Sequence, residues 1–312
     1  MLFDLLRLVC SPFQTKSAIE TSMRRLPVQT RAFRLSASLG LICCFSSAAA
    51  ADLNSTSTVR VAGLVLKWVR ADKEANFRRV EPMIREAATH GALIVCTTEC
   101  FLDGYAIADK SIPLEKYRAL GEPIPDGEYY RRLAALAAEL KIHLIAGMTE
   151  AAGEARHNTS VLIGPEGKLV GKYRKQKLEH ELARNTPGNT SPVFETPFGK
   201  VGIMICADRT EPSIVERICT RGADFLICPS GGMFGPKEND PIVQQRSGEN
   251  QIHIVFVHPA EFLVTGPDGG ILSQTVLEDR LLITPEQTGG THDRNRVFYF
   301  DLPMVRRSVD HP

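Results

Sequence analysis

Three residues with reactive or charged side chains each follow a short apolar run: Glu99, Lys175 and Cys206. Burying an isolated carboxylate or ammonium costs several kcal/mol unless another group compensates it, so Glu99 and Lys175 are expected to pair. A thiol becomes a good nucleophile when a base takes its proton or a cation stabilises the thiolate. If the three side chains converge, the sequence predicts a site where the Cys206 sulfur attacks a carbonyl carbon.

The chemistry that suits this set is cleavage of an amide carbon–nitrogen bond. Attack on an amide gives a tetrahedral intermediate with a negative oxygen, which Lys175 and the backbone N–H of Ala207 would hold. Glu99 would give its proton to the departing amine and later take one from water. Each residue alone has an ordinary explanation: a small core thiol, a turn carboxylate and a solvated lysine. Only their convergence would make a catalyst.

The segments that must position these residues alternate between strand and helix patterns. Short apolar or alternating runs predict strands at 59–69, 92–96, 142–147, 160–163, 169–173, 201–205, 224–228, 252–257 and 261–264. Helical spacing of apolar residues predicts helices at 74–90, 128–140, 213–221 and 241–251. No internal repeat or linker interrupts them, so we predict one α/β domain. In such sheets, ligand chemistry gathers where strands end.

The composition narrows the possible partners. The 312 residues include 37 basic and 36 acidic side chains, a net charge of +1, so no nucleic-acid partner is expected. A hydrophobic content of 43% suffices for one large core. No glycine-rich phosphate loop is present, and no His or Cys pair at ligand spacing accompanies Cys96 and Cys100. We therefore predict a protein without metal or cofactor that acts on a small molecule.

The N-terminal segment has the pattern of a secretory signal. Arginines precede the uncharged apolar run 35–45, and small residues follow it as far as Ala51. The run is shorter than the roughly 20 residues that span a bilayer, so no stable membrane insertion is expected after cleavage. We predict a signal peptide at 1–51, with Met23 as an alternative start, and export to the periplasm or outside the cell. The enzyme domain would be 52–312.

The segments around the three residues resemble the nitrilase, or carbon-nitrogen hydrolase, superfamily. Residues 98–105 contain a Glu followed by Gly-Tyr, 173–178 resemble the lysine segment and 202–209 the cysteine segment. Supporting matches are Asn76, 157–159, 187–188, 221–224, Arg246 and 249–250. The resemblance covers nearly the whole chain from Val59 onwards.

This resemblance implies a four-layer αββα sandwich and a homo-oligomer that acts on a small amide or N-carbamoyl amine. It also implies a second, positioning glutamate in the loop after the lysine, where Glu181 is our choice and Glu179 the alternative. Ala207, Asp208 and Tyr105 are placed with the residues that bind the substrate or the oxyanion.

Several positions depart from the family pattern. Thr98 stands where a proline is usual, and Lys177 where a histidine is usual. Nitrile-cleaving members usually follow the cysteine with Trp-Glu, so Ala207-Asp208 favours an amidase. Two other hypotheses stay open: a nitrilase, and a catalytically inert binding module on the same fold. Among the histidines, His180 is the strongest rival for a catalytic base because it lies in the loop near the lysine.

Overall fold

The computed structural model describes residues 57–232, 234–277 and 296–304. The predicted signal peptide at 1–51 lies outside these ranges. The strands are β1 (Thr58–Val65), β2 (Ile94–Cys96), β3 (Glu122–Pro123), β4 (His143–Ala152), β5 (Ala155–Ile163), β6 (Leu169–Arg174), β7 (Val193–Thr196), β8 (Gly199–Ile203), β9 (Phe225–Pro229), β10 (His253–His258), β11 (Glu261–Thr265), β12 (Ile271–Val276) and β13 (Arg296–Pro303). The α-helices are α1 (Lys73–Thr89), α2 (Leu114–Ala119), α3 (Glu128–Leu140), α4 (Pro212–Thr220) and α5 (Pro236–Asn250). Short 3-10 helices cover Ala106–Ala108, Glu179–Ala183 and Cys206–Thr210.

The strands form two mixed sheets. The first has the order β13-β1-β2-β4-β5-β6, with β3 attached to β4, and the second has the order β12-β11-β10-β9-β8-β7. At the centre of each sheet three strands are parallel: β1, β2 and β4 in the first, and β8, β9 and β10 in the second. Antiparallel strands complete both edges of each sheet.

Alternation along the strands separates the layers. On β1, Val61 packs into the core that joins the two sheets, whereas Ala62 packs against α1 and α3. The apolar side chains of α4 and α5 pack on the second sheet. Because successive strand residues face opposite sides, one strand serves both the sheet–sheet core and the outer helix layer. The result is the αββα sandwich that the family resemblance implied.

Local sequence explains where the helices begin. Asp72 caps α1, with its carboxylate accepting a hydrogen bond of 2.9 Å from the Ala75 N–H. Pro212 and Pro236 occupy the first turns of α4 and α5, where the missing N–H has no cost. The predicted helix at 241–251 therefore starts five residues early, at a proline that the apolar pattern did not mark.

The other differences concern several strands and one helix. Strands β3, β7, β12 and β13 and helix α2 were not predicted, β1 ends at Val65 rather than at 69, and β5 starts at Ala155 rather than at 160. In β12 the side chains are largely exposed, so an apolar run is lacking there. Strand β13 pairs with β1 across more than two hundred residues of sequence, which no local pattern reports. Within the described ranges no helix is long and apolar enough to cross a membrane.

Candidate active site

The three predicted residues come from the two different sheets. Glu99 follows β2 and Lys175 directly follows β6, both in the first sheet, while Cys206 follows β8 in the second. Asn158 of β5 contacts both: its carbonyl accepts a 2.8 Å hydrogen bond from the Lys175 N–H, and its side-chain Nδ2 donates to Glu99 Oε1 at 2.8 Å. The site therefore lies where strand ends of the two sheets meet, as the strand-end argument predicted.

Lys175 lies between two buried carboxylates. Its Nζ is 2.7 Å from Glu99 Oε1 and 2.5 Å from Glu181 Oε1, and all three side chains are at most 2% exposed. Asn158 Nδ2 donates to the same carboxylates, at 2.8 Å to Glu99 Oε1 and 3.1 Å to Glu181 Oε2. Glu179, the alternative second glutamate, is exposed and makes no such contact with Lys175 among the described side chains.

The lysine keeps its charge despite burial. Burial alone lowers the pKa of Lys175, but the negative charges of Glu181 and Glu99 outweigh this effect and raise the pKa well above its usual value. An ammonium has three N–H donors, of which the two carboxylates take two. The remaining donor can bind an oxygen of a ligand.

The free oxygen of Glu99 faces the glycine opposite. Oε1 is held by Lys175 and Asn158, while the buried Oε2 has no hydrogen-bond partner in the described part of the chain. A methyl group on Gly231 would lie 2.9 Å from Oε2. Leaving a buried carboxylate oxygen without a donor is costly, so a donor that reaches Oε2 is bound favourably. This oxygen is therefore free to accept a proton from a ligand or from a nearby thiol.

Cys206 sits on a sharp turn from strand to helix. Its φ is +46°, in the left-handed region that costs a non-glycine residue of order 1 kcal/mol or more. The side chain is half-buried, and Sγ lies 3.5 Å from the carbonyl oxygen of Gly231. At this turn Cys206 lines a cavity together with Lys175.

Asp208 holds this turn in place. Its carboxylate accepts hydrogen bonds from the backbone N–H groups of Ile205 at 3.0 Å, Gln176 at 3.1 Å and Lys177 at 2.8 Å, and from the Tyr173 hydroxyl at 2.8 Å. Because four protein donors occupy a fully buried carboxylate, no oxygen is left for a substrate. We therefore assign Asp208 a positioning role in place of the predicted role in binding substrate or oxyanion: it links the lysine and cysteine segments.

The surroundings of Cys206 favour its protonated thiol. Burial raises its pKa, the charge of Glu99 raises it further, and the charges of Lys175 and Arg209 pull it down without reversing the shift. A thiol of this kind needs a base at the moment it attacks. Glu99 is the neighbouring acid whose free oxygen could accept that proton.

A cavity of about 690 Å³ opens beside the sulfur. It is lined by Tyr105, Ala108, Lys175, Leu178, Glu179, His180, Cys206, Ala207, Arg209, Thr210, Gly231, Gly232, Phe234, Glu238 and Ile242. The structure thus brings Tyr105 and Ala207, both predicted to contact ligand, to the same space as Lys175 and Cys206. A volume in this range suits a small molecule.

His180 and His258 have different surroundings. His180 is exposed at the cavity wall, with its ring edge-on to Tyr105. His258 is fully buried, and burial together with the charge of Arg209 lowers its pKa to about 3. Its Nδ1 accepts the Ala260 N–H, so Nε2 carries the proton and donates to the carbonyl of Gly231 at 3.1 Å. A neutral His258 holds Gly231 in place and is unsuited to act as a base.

Sequence reasoning missed two side chains that contact the predicted ones. Asn158 bridges both carboxylates, and Arg209 Nη1 lies 3.6 Å from the Cys206 sulfur. Both lie inside segments that carried the family resemblance. For Arg209 the available signal was a charged residue three positions after Cys206.

The donor sets of the site do not form a metal centre. In residues 57–232, 234–277 and 296–304 no group of three or more His, Cys, Asp or Glu side chains is arranged to hold a metal ion. Each of the five described cysteines, Cys96, Cys100, Cys206, Cys219 and Cys228, is a free thiol.

The αββα fold, with a thiol and a lysine that is bridged to two buried glutamates around one cavity, fits a hydrolase. A sequence profile of the carbon-nitrogen hydrolase family matches residues 48–287. The chain belongs to this family.

Two curated relatives illustrate the range of the family. An omega-amidase of Homo sapiens is 32% identical over 213 residues, which cover 63% of this chain and 73% of that protein. A bifunctional nitrilase/nitrile hydratase of Lupinus angustifolius is 31% identical over 194 residues, 57% of this chain and 55% of that protein. The similarity therefore extends to both amide-cleaving and nitrile-cleaving branches.

Solved structures agree on the fold. A Saccharomyces cerevisiae protein from branch 10 of the nitrilase superfamily aligns with a TM-score of 0.67 and 25% identity, covering 79% of this chain and 90% of that chain. A mutant amidase of Nesterenkonia AN1 aligns with a TM-score of 0.65 and 21% identity, covering 80% and 92%. The four-layer sandwich is thus the fold of the superfamily.

Proposed function

We propose that this protein is an amidohydrolase that cleaves a small amide or N-carbamoyl amine through a thioester on Cys206. The observation that carries the proposal is the buried bridge of Lys175 to Glu99 and Glu181, next to the cavity that Cys206 lines. This arrangement supplies a nucleophile, a base with one free oxygen and a cation with one free donor.

The reaction begins when Glu99 Oε2 takes the proton of the Cys206 thiol. The sulfur attacks the carbonyl carbon, a carbon–sulfur bond forms, and the carbonyl electron pair moves to the oxygen. The third N–H of Lys175 and the backbone N–H of Ala207 would hold that oxygen, at a gain of roughly 3 kcal/mol per donor. When the carbonyl reforms, the carbon–nitrogen bond breaks and Glu99 gives its proton to the leaving amine.

Water then releases the acyl group. Glu99 takes a proton from water as the oxygen attacks the thioester carbon, and the carbon–sulfur bond breaks as the proton returns to the sulfur. Glu181 contacts Lys175 and Asn158, so its role is to fix the lysine rather than to exchange protons with the substrate.

One observation favours an amide over a nitrile: the pair after the nucleophile is Ala207-Asp208, where nitrile-cleaving members usually have Trp-Glu. The apolar wall formed by Leu178, Phe234 and Ile242 suits a substrate whose remaining part is aliphatic or aromatic.

The test is an ammonia-release screen over primary amides, N-carbamoyl amines and nitriles. We expect release from an amide or carbamoyl amine, and loss of release to background in Cys206→Ala. The matched control is Cys219→Ala, a half-buried thiol on α4 outside the cavity lining, which should keep full activity. Ammonia and acid from a nitrile, with no turnover of the matching amide, would make the protein a nitrilase. Absence of release from every class would favour a binding module.

A further inference from the structure

Arg209 is a buried cation with no carboxylate partner among the described residues. Its side chain is 3% exposed, Nη1 lies 3.6 Å from Cys206 Sγ, and Nη2 donates to Asn239 Oδ1 at 2.5 Å. The guanidinium also lies over the ring of Phe256, 5.4 Å from its centroid. A buried charge without an ion pair is costly, so its position next to the nucleophile calls for an explanation.

A second, buried pair of residues fixes the direction of this guanidinium. Asn239 is fully buried, and its Nδ2 donates to Glu261 Oε1 at 3.0 Å and to the carbonyl of Phe234 at 3.3 Å. With the amide nitrogen used in this way, the Asn239 oxygen must face Arg209. Glu261 is also fully buried, and burial raises its pKa to about 8. Its Oε1 contacts Asn239, so this carboxyl group reaches Arg209 only through the Asn239 amide.

The charges around the Cys206 sulfur indicate a role for the Arg209 guanidinium. Lys175 bears one positive charge but contacts two carboxylates, Glu99 and Glu181, so this group has a net charge of −1 when all three are ionised. Negative charge on the Cys206 sulfur would form beside it. The imidazole of His258, which contacts Gly231 in this region, is neutral and adds no positive charge. Arg209 places a positive charge 3.6 Å from the sulfur and so offsets this unfavourable field.

We infer that Arg209 is a further catalytic residue, which stabilises negative charge on the Cys206 sulfur when it attacks and when it leaves, and that Asn239 and Glu261 are its positioning residues. The inference rests on the proposed function in one respect: Cys206 is the nucleophile. The same guanidinium could instead bind an acidic group of a substrate, and the experiment separates the two roles.

The experiment follows alkylation of Cys206 by iodoacetamide against pH, read by mass spectrometry of the peptide that contains Cys206, without substrate. Removing a cation that lies close to a thiol raises the pH at which it ionises, so Arg209→Gln should move the midpoint up by about one pH unit. Asn239→Ala should move it in the same direction by less. Arg209→Lys, which keeps the charge, should restore most of the wild-type midpoint.

Two controls accompany these variants. Arg78→Gln removes an arginine that is paired with Glu74 on the exposed side of α1 and should leave the midpoint unchanged. The Cys219 peptide of each sample reports a thiol outside the cavity lining, and its profile should be the same in every variant. With an amide that the wild type hydrolyses, Arg209→Gln should lower kcat roughly tenfold and leave KM nearly unchanged.

An unchanged midpoint in a folded Arg209→Gln variant would overturn the inference, and so would a large rise in KM without a change of midpoint, which indicates substrate binding. If Arg209→Gln does not fold, Asn239→Ala decides: a raised midpoint supports the inference and an unchanged one overturns it. Because alkylation needs no substrate, a midpoint that responds to Arg209 in a protein that releases no ammonia would refute the proposed function and leave the thiol assignment intact.

Discussion

One ammonium shared by two carboxylates determines what the individual residues of this site can do. Lys175 engages Oε1 of Glu99 and Oε1 of Glu181, and Asn158 reinforces both contacts. Glu99 is thereby held by one oxygen, and its second oxygen stays open. Because this carboxylate is already held in one orientation, it loses little further conformational freedom in the reaction. This favours proton transfer at Oε2.

Glu99 has two effects on the thiol that act in opposite directions, and the variant Glu99→Gln separates them. The amide cannot take the thiol proton, so we expect hydrolysis to fall by about 10²–10⁴-fold. The same change removes a negative charge that raises the pKa of Cys206, so the sulfur should ionise at a lower pH than in the wild type. Ammonia release and the pH profile of Cys206 alkylation measure the two effects.

The control for this variant is Glu154→Gln, since the Glu154 side chain is fully exposed and pairs with Arg118, and neither residue lines the cavity. It should change neither measurement. A loss of activity with a raised alkylation midpoint would contradict this account. Glu99 would then stabilise the Cys206 thiolate by positioning Lys175, instead of destabilising it by its own negative charge.

At the scale of elements, the site depends on one buried junction. Strand β6 ends beside Lys175, strand β8 ends beside Cys206, and the Asp208 carboxylate connects the backbone that follows both strands. The left-handed backbone at Cys206 is costly, so hydrogen bonds from the neighbouring segment must outweigh its strain. Tyr173, at the end of β6, adds a fourth hydrogen bond to this carboxylate.

The variant Asp208→Asn tests the junction. The amide nitrogen cannot accept the N–H groups that one carboxylate oxygen now accepts, so at least one buried donor is left unsatisfied, at a cost of about 1–3 kcal/mol. We expect a lower free energy of unfolding in denaturant and a lower kcat, because the cysteine and lysine segments lose their link.

Tyr173→Phe is the matched variant for this junction. It removes one hydroxyl donor and leaves the three backbone donors of the carboxylate satisfied, so the loss of stability should be near 1 kcal/mol with activity kept. Equal losses of activity in the two variants would contradict the positioning role of Asp208.

The sequence predicted those elements whose pattern lies within one short segment of the chain. Helix α3 and the strand before Cys206 follow directly from apolar periodicity, and the strand ends led to Glu99, Lys175 and Cys206. The family resemblance favoured Glu181 over Glu179, and the 3-10 helix gives the physical reason, because it exposes Glu179 and buries Glu181 against Lys175.

The roles of other residues depend on contacts between distant segments, which a local sequence pattern does not show. Asn239 on α5 contacts Arg209, and Glu261 on β11 contacts Asn239, only because α5 packs against β11. Asp208 was correctly placed next to the nucleophile in the chain, but a sequence does not show which donors surround a side chain. A carboxylate that faces the protein and one that faces a substrate look alike until the neighbours are known.

At the scale of the whole molecule, the site is divided between two sheets, so their packing sets its geometry. Glu99 and Lys175 belong to the first sheet and Cys206 to the second. On β1, Gly63 pairs with Cys96 of β2, three residues before Glu99, and the ring of Phe262 from β11 packs directly on it. The absence of a side chain at Gly63 lets the two sheets approach closely here.

A pair of identical substitutions tests whether this close approach matters. In Gly63→Ala the new methyl group would overlap the ring of Phe262, which is 1% exposed and stacked on Phe298, so the ring cannot move freely. We expect the free energy of unfolding to fall by about 1–3 kcal/mol. The kcat should fall as well, because β2 and the Glu99 that follows it are displaced relative to Cys206. In Gly248→Ala, inside α5, the nearest atom to the new methyl is 3.5 Å away and the backbone is helical, so the protein should gain about 0.4–1 kcal/mol. Denaturant unfolding and ammonia release on both variants measure the contrast. A Gly63→Ala protein as stable and active as Gly248→Ala would show that the two sheets have room to separate without disturbing the site.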